Sequence, residues 1–185
     1  MEALPDRSLW TRFSLVAGCD EAGRGPLAGP VVAAAVILPK NFFHPAIDDS
    51  KKLSPARREA AYPIITGAAL AYAFGIVDHE IIDRINILNA TKQAMSEAIR
   101  GLSLRPEAVL IDAVHLADLT CVQISLIRGD ALSISIAAAS ILAKVRRDRI
   151  MAAYHMQYPV YHFDRHKGYP TALHRLCIKR HGPCP

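Results

Sequence analysis

The sequence predicts one α/β domain, built on a mixed β-sheet flanked by helices and ending in a helical C-terminal region. Short apolar runs alternate with longer segments in which apolar residues recur at helical spacing. No linker or internal repeat divides the 185 residues, a length near that of one hydrophobic core. Hydrophobic residues make up 51% of the chain and charged residues 21%, which excludes a disordered chain. We therefore expect residues 1–185 to form a single domain.

The first part of the chain predicts three strands and two helices. Residues 30–38 form a continuous apolar run that Pro39 closes, which is typical of a buried strand. Ser54 and Pro55 suit the N-cap and first turn of a helix. The strands are predicted over residues 14–19, 30–38 and 68–77, and the helices over residues 54–66 and 86–102.

The second part predicts two strands and then two helices. The strands are predicted over residues 109–111 and 122–127, and the helices over residues 133–154 and 171–180. The long helix has one apolar face, and the opposite stripe carries Ser140, Lys144 and Asp148. Because these three residues are spaced four apart, they point the same way.

The positive charge is concentrated at the C-terminal end. Residues 144–185 hold nine Lys and Arg residues against two acidic ones, whereas the whole chain carries a formal charge of +5. Basic residues that displace counterions from phosphates supply most sequence-independent affinity for nucleic acids. This basic helical part therefore favours a polyanionic partner, although a solvated basic helix would give the same charge.

Several classes of protein are excluded. The longest apolar run, residues 31–38, is far shorter than the roughly 20 residues of a membrane-spanning helix. The N-terminal residues lack the apolar segment of a secretion signal. The four cysteines show no CxxC pairing, so neither a zinc site nor a disulfide scaffold is indicated. We expect a cytoplasmic protein with no membrane partner.

Acidic side chains follow three of the predicted strands. Asp20 and Glu21 follow the first strand, and Asp112 and Asp130 follow the two later ones. Ligands of open α/β sheets gather where strands end, so these carboxylates can converge on one site. Four carboxylates together would repel one another unless divalent cations such as Mg²⁺ cancel their charge, and two such ions support phosphodiester cleavage. Taken singly, each acid could also merely end a strand in solvent.

Three further segments carry binding chemistry. Gly23-Arg24-Gly25 lets the backbone approach a ligand closely, since glycine has no Cβ, and it lies beside the first acidic pair. Residues 49–54 offer hydroxyl and ammonium groups of the kind that bind phosphate. Residues 166–171 place a tyrosine in a basic loop, where its ring can meet a sugar or base. Each segment also has a purely structural interpretation. Residues 23–25 could be an ordinary turn, residues 49–54 a capped helix start, and residues 166–171 a helix-capping loop.

Several blocks together resemble the type 2 ribonuclease H family, the bacterial ribonucleases HII. The blocks are GCDEAGRGPLAGPVV at residues 18–32, DSKKLS at 49–54, Ile111-Asp112, Gly129-Asp130, SIAAASILAKVRRD at 135–148 and HKGYPT at 166–171. They occur in order over nearly the whole chain. The resemblance implies an RNase H-like fold and an endonuclease that hydrolyses the RNA strand of RNA–DNA hybrids, including single ribonucleotides embedded in duplex DNA.

The resemblance also implies roles for individual residues. The catalytic and metal-binding carboxylates would be Asp20, Glu21, Asp112 and Asp130, with two Mg²⁺ or Mn²⁺ ions bound during catalysis. Recognition of the 2′-hydroxyl and the RNA–DNA junction would fall to Gly23, Arg24, Gly25 and Tyr169. Phosphate contacts would come from Ser50, Lys51, Ser140 and Lys144. Cleavage on the 5′ side of a ribonucleotide would leave 3′-hydroxyl and 5′-phosphate ends, and nothing requires more than a monomer.

Two departures and two alternatives accompany this interpretation. Ala113 stands where the family usually has glycine, and residues 161–163 replace a more usual tyrosine–glycine pairing. The related type 3 enzyme shares the carboxylates but usually carries an additional N-terminal domain, and the intact residues 23–25 favour type 2. A nucleic-acid-binding module that has lost catalysis is the other alternative, and the presence of all four carboxylates counts against it.

Overall fold

The computed structural model describes residues 4–112 and 114–185, and its centre is a five-stranded mixed sheet. The strands are β1 (Val16–Ala22), β2 (Val31–Ile37), β3 (Ala71–Val77), β4 (Ala108–Asp112) and β5 (Val122–Leu126). Their order in the sheet is β3-β2-β1-β4-β5. The pairs β1–β2 and β2–β3 are antiparallel, whereas β1–β4 and β4–β5 are parallel. The α/β class and the mixed sheet are therefore confirmed.

Helices cover both faces of this sheet. They are α1 (Leu4–Trp10), α2 (Pro55–Ala68), α3 (His79–Arg100), α4 (Gly129–Leu132), α5 (Ile134–Gln157), α6 (Phe163–His166) and α7 (Ala172–His181), with a 3₁₀ turn at Pro159–Tyr161. Helix α3 packs on one face and α5 on the other, so the core forms two apolar layers. The C-terminal region is helical, as predicted.

Helix α5 differs from its predicted amphipathic form. Residues 134–143 are all buried, because the sheet lies on one side of the helix and α2 and α4 pack around the rest. Ser140 belongs to this buried part, whereas Lys144 and Asp148 are half-buried. The prediction of one apolar face was therefore wrong for the first ten residues of the helix.

Helix α3 begins earlier than predicted and contains a kink. It starts at His79 rather than at Asn86, and Asn86 adopts a left-handed conformation with φ of 68°. The Asn86 side chain accepts hydrogen bonds from the backbone N–H groups of Leu88 and Asn89. The predicted start at residue 86 is thus a second capped start within one longer helix.

A close contact between β1 and α5 determines where the end of β1 lies. A Cβ on Gly18 would fall 2.1 Å from the carbonyl carbon of Ser135, so the helix and strand backbones touch. The backbone N–H of Ser135 donates to the buried carboxylate of Asp6 at 3.1 Å, which ties α1 to the start of α5. Glycine is required at position 18 because no side chain fits between the two backbones.

Within the residues that the structure describes, none of the helices has the length and apolar character needed to cross a bilayer.

Candidate active site

Most of the predicted site residues line one open cleft at the end of β1. The cleft has a volume of about 310 Å³, and eleven of the twelve predicted residues line it. Asp130 is the twelfth, and it is hydrogen-bonded to Lys51, which lines the cleft. A larger cavity of about 480 Å³ lies beside α7 and contains none of the twelve, so size does not identify the site here.

Asp20 and Asp112 lie side by side at the carboxyl ends of two parallel strands. The last registered pair of β1 and β4 is Cys19 with Ile111, and each acid is the next residue of its strand. Side chains alternate along a strand, and Gly18 faces α5, so Asp20 faces α5 as well. The parallel pairing therefore places the two carboxylates side by side, although Asp20 and Glu21 lie within β1 and do not follow it as expected.

Asp20 lies in surroundings that disfavour its negative charge. It is 5% exposed. Burial raises the pKa of its carboxyl well above the usual range, the charges of Glu21 and Asp112 raise it further, and a hydrogen bond with Ser140 lowers it. A nearby cation would offset both the burial and the repulsion.

Glu21 projects from the opposite side of β1 and reaches the same cleft at its rim. Its Oε1 accepts a hydrogen bond from Nη1 of Arg24 at 3.2 Å. Its Oε2 is buried without a hydrogen-bond partner. A buried, unpartnered carboxylate oxygen is costly, so this atom is suited to a cation or a donor brought by a ligand.

Asp130 does not directly follow a strand, which corrects the expectation that it ends β5. It is the second residue of the short helix α4, and Arg128 turns the chain with φ of 57°. The Asp130 side chain is 2% exposed and its Oδ2 lies 2.7 Å from Nζ of Lys51. The N–H of Gly129 donates to Oδ1 of Asp112 at 2.9 Å, which ties α4 to the end of β4.

Basic side chains pair with two of the four carboxylates. Among residues 4–112 and 114–185, no three His, Cys, Asp or Glu side chains stand close enough together to hold a metal ion as they are. Lys51 forms an ion pair with Asp130, and Arg24 forms one with Glu21. The donor set nevertheless fits hard divalent cations, because it consists of carboxylate oxygens and includes the unpartnered Oε2 of Glu21.

The segment 49–54 is tied to α5 and α2. The hydroxyls of Ser50 and Ser140 lie 2.8 Å apart and are buried. Ser54 caps α2 by accepting from the N–H of Arg57, so the capped helix start that served as the alternative is present as well. Nη1 of Arg58 donates to the carbonyls of Ser50 and Leu53 and so braces the segment. Sequence patterns did not point to this arginine, since both partners are backbone atoms.

The glycine–arginine–glycine turn lies against the loop that carries Tyr169. The backbone N–H of Leu27 donates to the carbonyl of Gly168 at 2.9 Å. Gly23 has φ of +117°, which favours glycine, whereas a Cβ on Gly25 would make an ordinary 3.5 Å contact with the Tyr169 ring. The predicted need for glycine therefore holds at position 23 for an internal reason, and position 25 faces the cleft.

The Tyr169 ring forms one wall of the cleft. The residue is 38% exposed, and Nζ of Lys144 lies 5.5 Å from the ring centroid. The same ammonium group bonds Oδ1 of Asp148 at 2.6 Å. An aromatic face beside an ammonium group can meet a sugar or base while the cation meets a phosphate.

Comparison with known proteins establishes the family. The family model for ribonuclease HII matches residues 17–185. The chain is 54% identical over 172 residues to the ribonuclease HII of Syntrophus aciditrophicus (strain SB), covering 93% of this chain and 81% of that protein. The chain belongs to the ribonuclease HII family. Members of this family cleave RNA in RNA–DNA hybrids, including single embedded ribonucleotides, so the predicted enzyme class and activity are confirmed.

Solved structures similar to this ribonuclease HII agree with its fold. The ribonuclease H2 of Pyrococcus horikoshii OT3 superposes with a TM-score of 0.76 at 28% identity, covering 92% of this chain and 90% of that one. Bst-RNase HIII, solved in complex with Mn²⁺, superposes with a TM-score of 0.67 at 21% identity, covering 91% of this chain and 63% of that one, and so shares the fold.

Proposed function

We propose that Asp20, Glu21, Asp112 and Asp130 of this ribonuclease HII hold two divalent cations, Mg²⁺ or Mn²⁺, at the scissile phosphodiester. Cleavage would fall on the 5′ side of a ribonucleotide and leave 3′-hydroxyl and 5′-phosphate ends. The observation that carries the proposal is that the buried Asp20 carboxylate lies beside the half-buried Asp112 carboxylate, near the ends of two parallel strands. The unpartnered oxygen of Glu21 supports it.

The carboxylates differ in how firmly they are held. When bound, two divalent cations would stabilise both the attacking and the leaving oxygen of the phosphodiester. Asp20 and Asp112 belong to sheet strands, so their oxygens are fixed before the substrate arrives. Lys51 has a side chain that is 74% exposed, so it can leave Asp130 and donate to a substrate phosphate. The same ammonium group would thus pair with Asp130 in the free protein and with a substrate phosphate in the complex.

The turn at residues 23–25 and Tyr169 would read the RNA–DNA junction. The 2′-hydroxyl is the group by which a protein distinguishes RNA from DNA at one nucleotide. Gly25 offers backbone without a side chain at the cleft wall, directly beside the tyrosine ring. Ser50, Lys51, Ser140 and Lys144 line the same cleft and would contact the flanking phosphates.

We also propose that the chain acts as one domain and as a monomer in the cytoplasm. The sheet and helix α5 form a shared core, and α5 continues into the C-terminal region through its contacts with α6. The four cysteines are free thiols, and two of them, Cys19 and Cys177, are buried.

Cleavage of a defined substrate tests the proposed chemistry. The purified protein would be incubated with a DNA duplex that contains one ribonucleotide, in the presence of Mg²⁺, Mn²⁺ or a chelator. We expect a single cut on the 5′ side of the ribonucleotide with either metal, and none with chelator. Binding without cutting in every condition would contradict catalysis and support a binding module.

Replacing Tyr169 by Ala should impair single-ribonucleotide substrates more than long hybrids. Loss of aromatic stacking costs about 1–3 kcal/mol, which is roughly 5- to 150-fold in rate. The measurement is the ratio of cleavage rates on the two substrates. The matched control is Tyr72→Ala, because Tyr72 is similarly exposed but lies on β3, away from the cleft. Equal losses on both substrates would argue against a junction role.

A further inference from the structure

Arg147 is a basic residue of helix α5 that lies in the interior of the protein. Its side chain is fully buried, and it is among the largest buried side chains among the residues described. Arg147 belongs to the basic C-terminal part of the sequence, whose positive charge favours contact with phosphate. A guanidinium that is 0% exposed cannot meet a phosphate, so its role lies within the protein.

The Arg147 guanidinium joins two loops of the cleft wall. Its Nε donates to the carbonyl of Pro30 at 2.9 Å, and its Nη2 donates to the carbonyl of Ala28 at 3.0 Å. Its Nη1 donates to the carbonyl of Lys167 at 2.8 Å. Two of these carbonyls follow the glycine–arginine–glycine turn, and the third lies two residues before Tyr169. Only a planar fork of donors can bond all three at fixed relative positions.

Three glycines with positive φ make room for this group. A Cβ on Gly23 would lie 2.6 Å from Nε of Arg147, and one on Gly29 would lie 3.3 Å from Nη2 and 2.3 Å from Sδ of Met151. A Cβ on Gly168 would lie 2.3 Å from the carbonyl oxygen of Ala28, which accepts from the same guanidinium. Gly23 and Gly29 therefore pack against Arg147 itself, and Gly168 packs against a carbonyl that Arg147 bonds.

We propose that Arg147 is a positioning residue that sets the distance between the turn at residues 23–25 and Tyr169, and thereby the preference for a single RNA–DNA junction. The proposal rests on the proposed function of those residues. The Cζ atom of buried Arg147 lies 6.0 Å from the centroid of the Tyr169 ring, which would meet the sugar. A long hybrid can bind the cleft at many positions along its RNA strand, whereas a single ribonucleotide can bind at only one. Displacement of Tyr169 should therefore lower the cleavage rate more for the single ribonucleotide.

The test compares Arg147→Lys with a matched control on the same helix. Lysine keeps the charge but replaces the fork by one nitrogen, which cannot reach all three carbonyls. Arg149→Lys makes the same chemical change two residues along, where the side chain is half-exposed and paired with Glu59. Single-turnover cleavage would be measured on a duplex with one ribonucleotide and on an all-RNA/DNA hybrid, and the two rates expressed as a ratio.

We expect Arg147→Lys to lower this ratio by tenfold or more and Arg149→Lys to leave it within twofold of the wild type. The ratio should fall no further when Arg147→Lys is added to Tyr169→Ala, because both changes act on the same wall. Amide hydrogen exchange should become faster at the N–H of Leu27, which bonds Gly168, and stay unchanged in β2.

Two outcomes would overturn the positioning role: an unchanged ratio, whether or not both rates fall together, or a further fall of the ratio in the double variant. Arg147→Gln, which keeps two amide donors, would be measured beside Arg147→Lys. Failure of both variants to fold would also overturn the role, since Arg147 would then be needed by the whole domain. If Tyr169→Ala leaves the ratio of the two rates unchanged, the proposed function of Tyr169 fails instead.

Discussion

Asp20→Asn is expected to lower the cleavage rate at least about a thousandfold, which corresponds to about 4 kcal/mol of lost transition-state stabilisation. The amide keeps the size of the carboxylate but removes the negative charge. Asp20 is a crowded negative charge, since burial and the charges of Glu21 and Asp112 all raise the pKa of its carboxyl. A divalent cation that would balance this crowded charge loses a principal ligand in the variant.

Hybrid binding should change little in the same variant. The residues proposed to contact phosphates, such as Lys51 and Lys144, are untouched, and one negative charge is removed from the cleft. Binding would be measured by fluorescence anisotropy and cleavage by single-turnover kinetics. Asp83→Asn is the matched control, because Asp83 is an exposed aspartate on α3 outside the cleft. Near-normal turnover of Asp20→Asn would remove this residue from the metal site.

Gly18→Ala is expected to destabilise the fold by about 3 kcal/mol or more, at the upper end of the cost of overpacking a core. The added Cβ would meet the backbone of Ser135 at 2.1 Å, and a backbone cannot turn aside as a side chain can. Helix α5 would have to move away from β1. For a chain of this length the melting temperature should fall by roughly 6–12 °C.

The same substitution should reduce cleavage, because Ser140 on α5 and Asp20 on β1 would separate. Thermal unfolding and single-turnover cleavage measure the two effects. Gly67→Ala is the matched control, since nothing lies within 4 Å of a Cβ there and the position is helical. The control should be neutral or stabilising by up to about 1 kcal/mol. If Gly18→Ala had the same melting temperature as the wild type, the close contact of helix α5 with strand β1 would be refuted.

The strands and the pairing of Asp20 with Asp112 could be predicted because their signals are local. An apolar run that leads to an acid indicates a strand, and parallel strands bring their ends to one edge, although β1 continues past Asp20 to Ala22. The position of Asp130 could not be predicted in the same way. It lies in α4, which has four residues and so is too short to show a helical period.

Arg147 shows why charge counts mislead at this site. Its partners are the carbonyls of Ala28, Pro30 and Lys167, and every residue carries a carbonyl, so no sequence pattern marks them. Gly23 was predicted to let the backbone approach a ligand, yet its φ and its contact with Arg147 give it an internal reason. The sequence placed Gly23 beside the first acidic pair and Arg147 in the basic C-terminal part, and only their packing shows what each one touches.

The burial of α5 follows from its neighbours rather than from its own periodicity. Its first ten residues, 134–143, are all apolar, alanine or serine, which suits contact on every side. Helices α2 and α4 supply the additional contacts, and α4 was not predicted. The sequence therefore predicted one buried face for α5, whereas the sheet, α2 and α4 together bury its first ten residues on all sides.

Anomalous diffraction from a crystal soaked in Mn²⁺ tests most directly whether the four carboxylates share one metal centre. We expect anomalous peaks between the oxygens of Asp20, Glu21, Asp112 and Asp130, with Lys51 displaced from Asp130. Peaks only on other parts of the surface, with Lys51 still bonded to Asp130 at a saturating concentration of Mn²⁺, would contradict the proposed metal site.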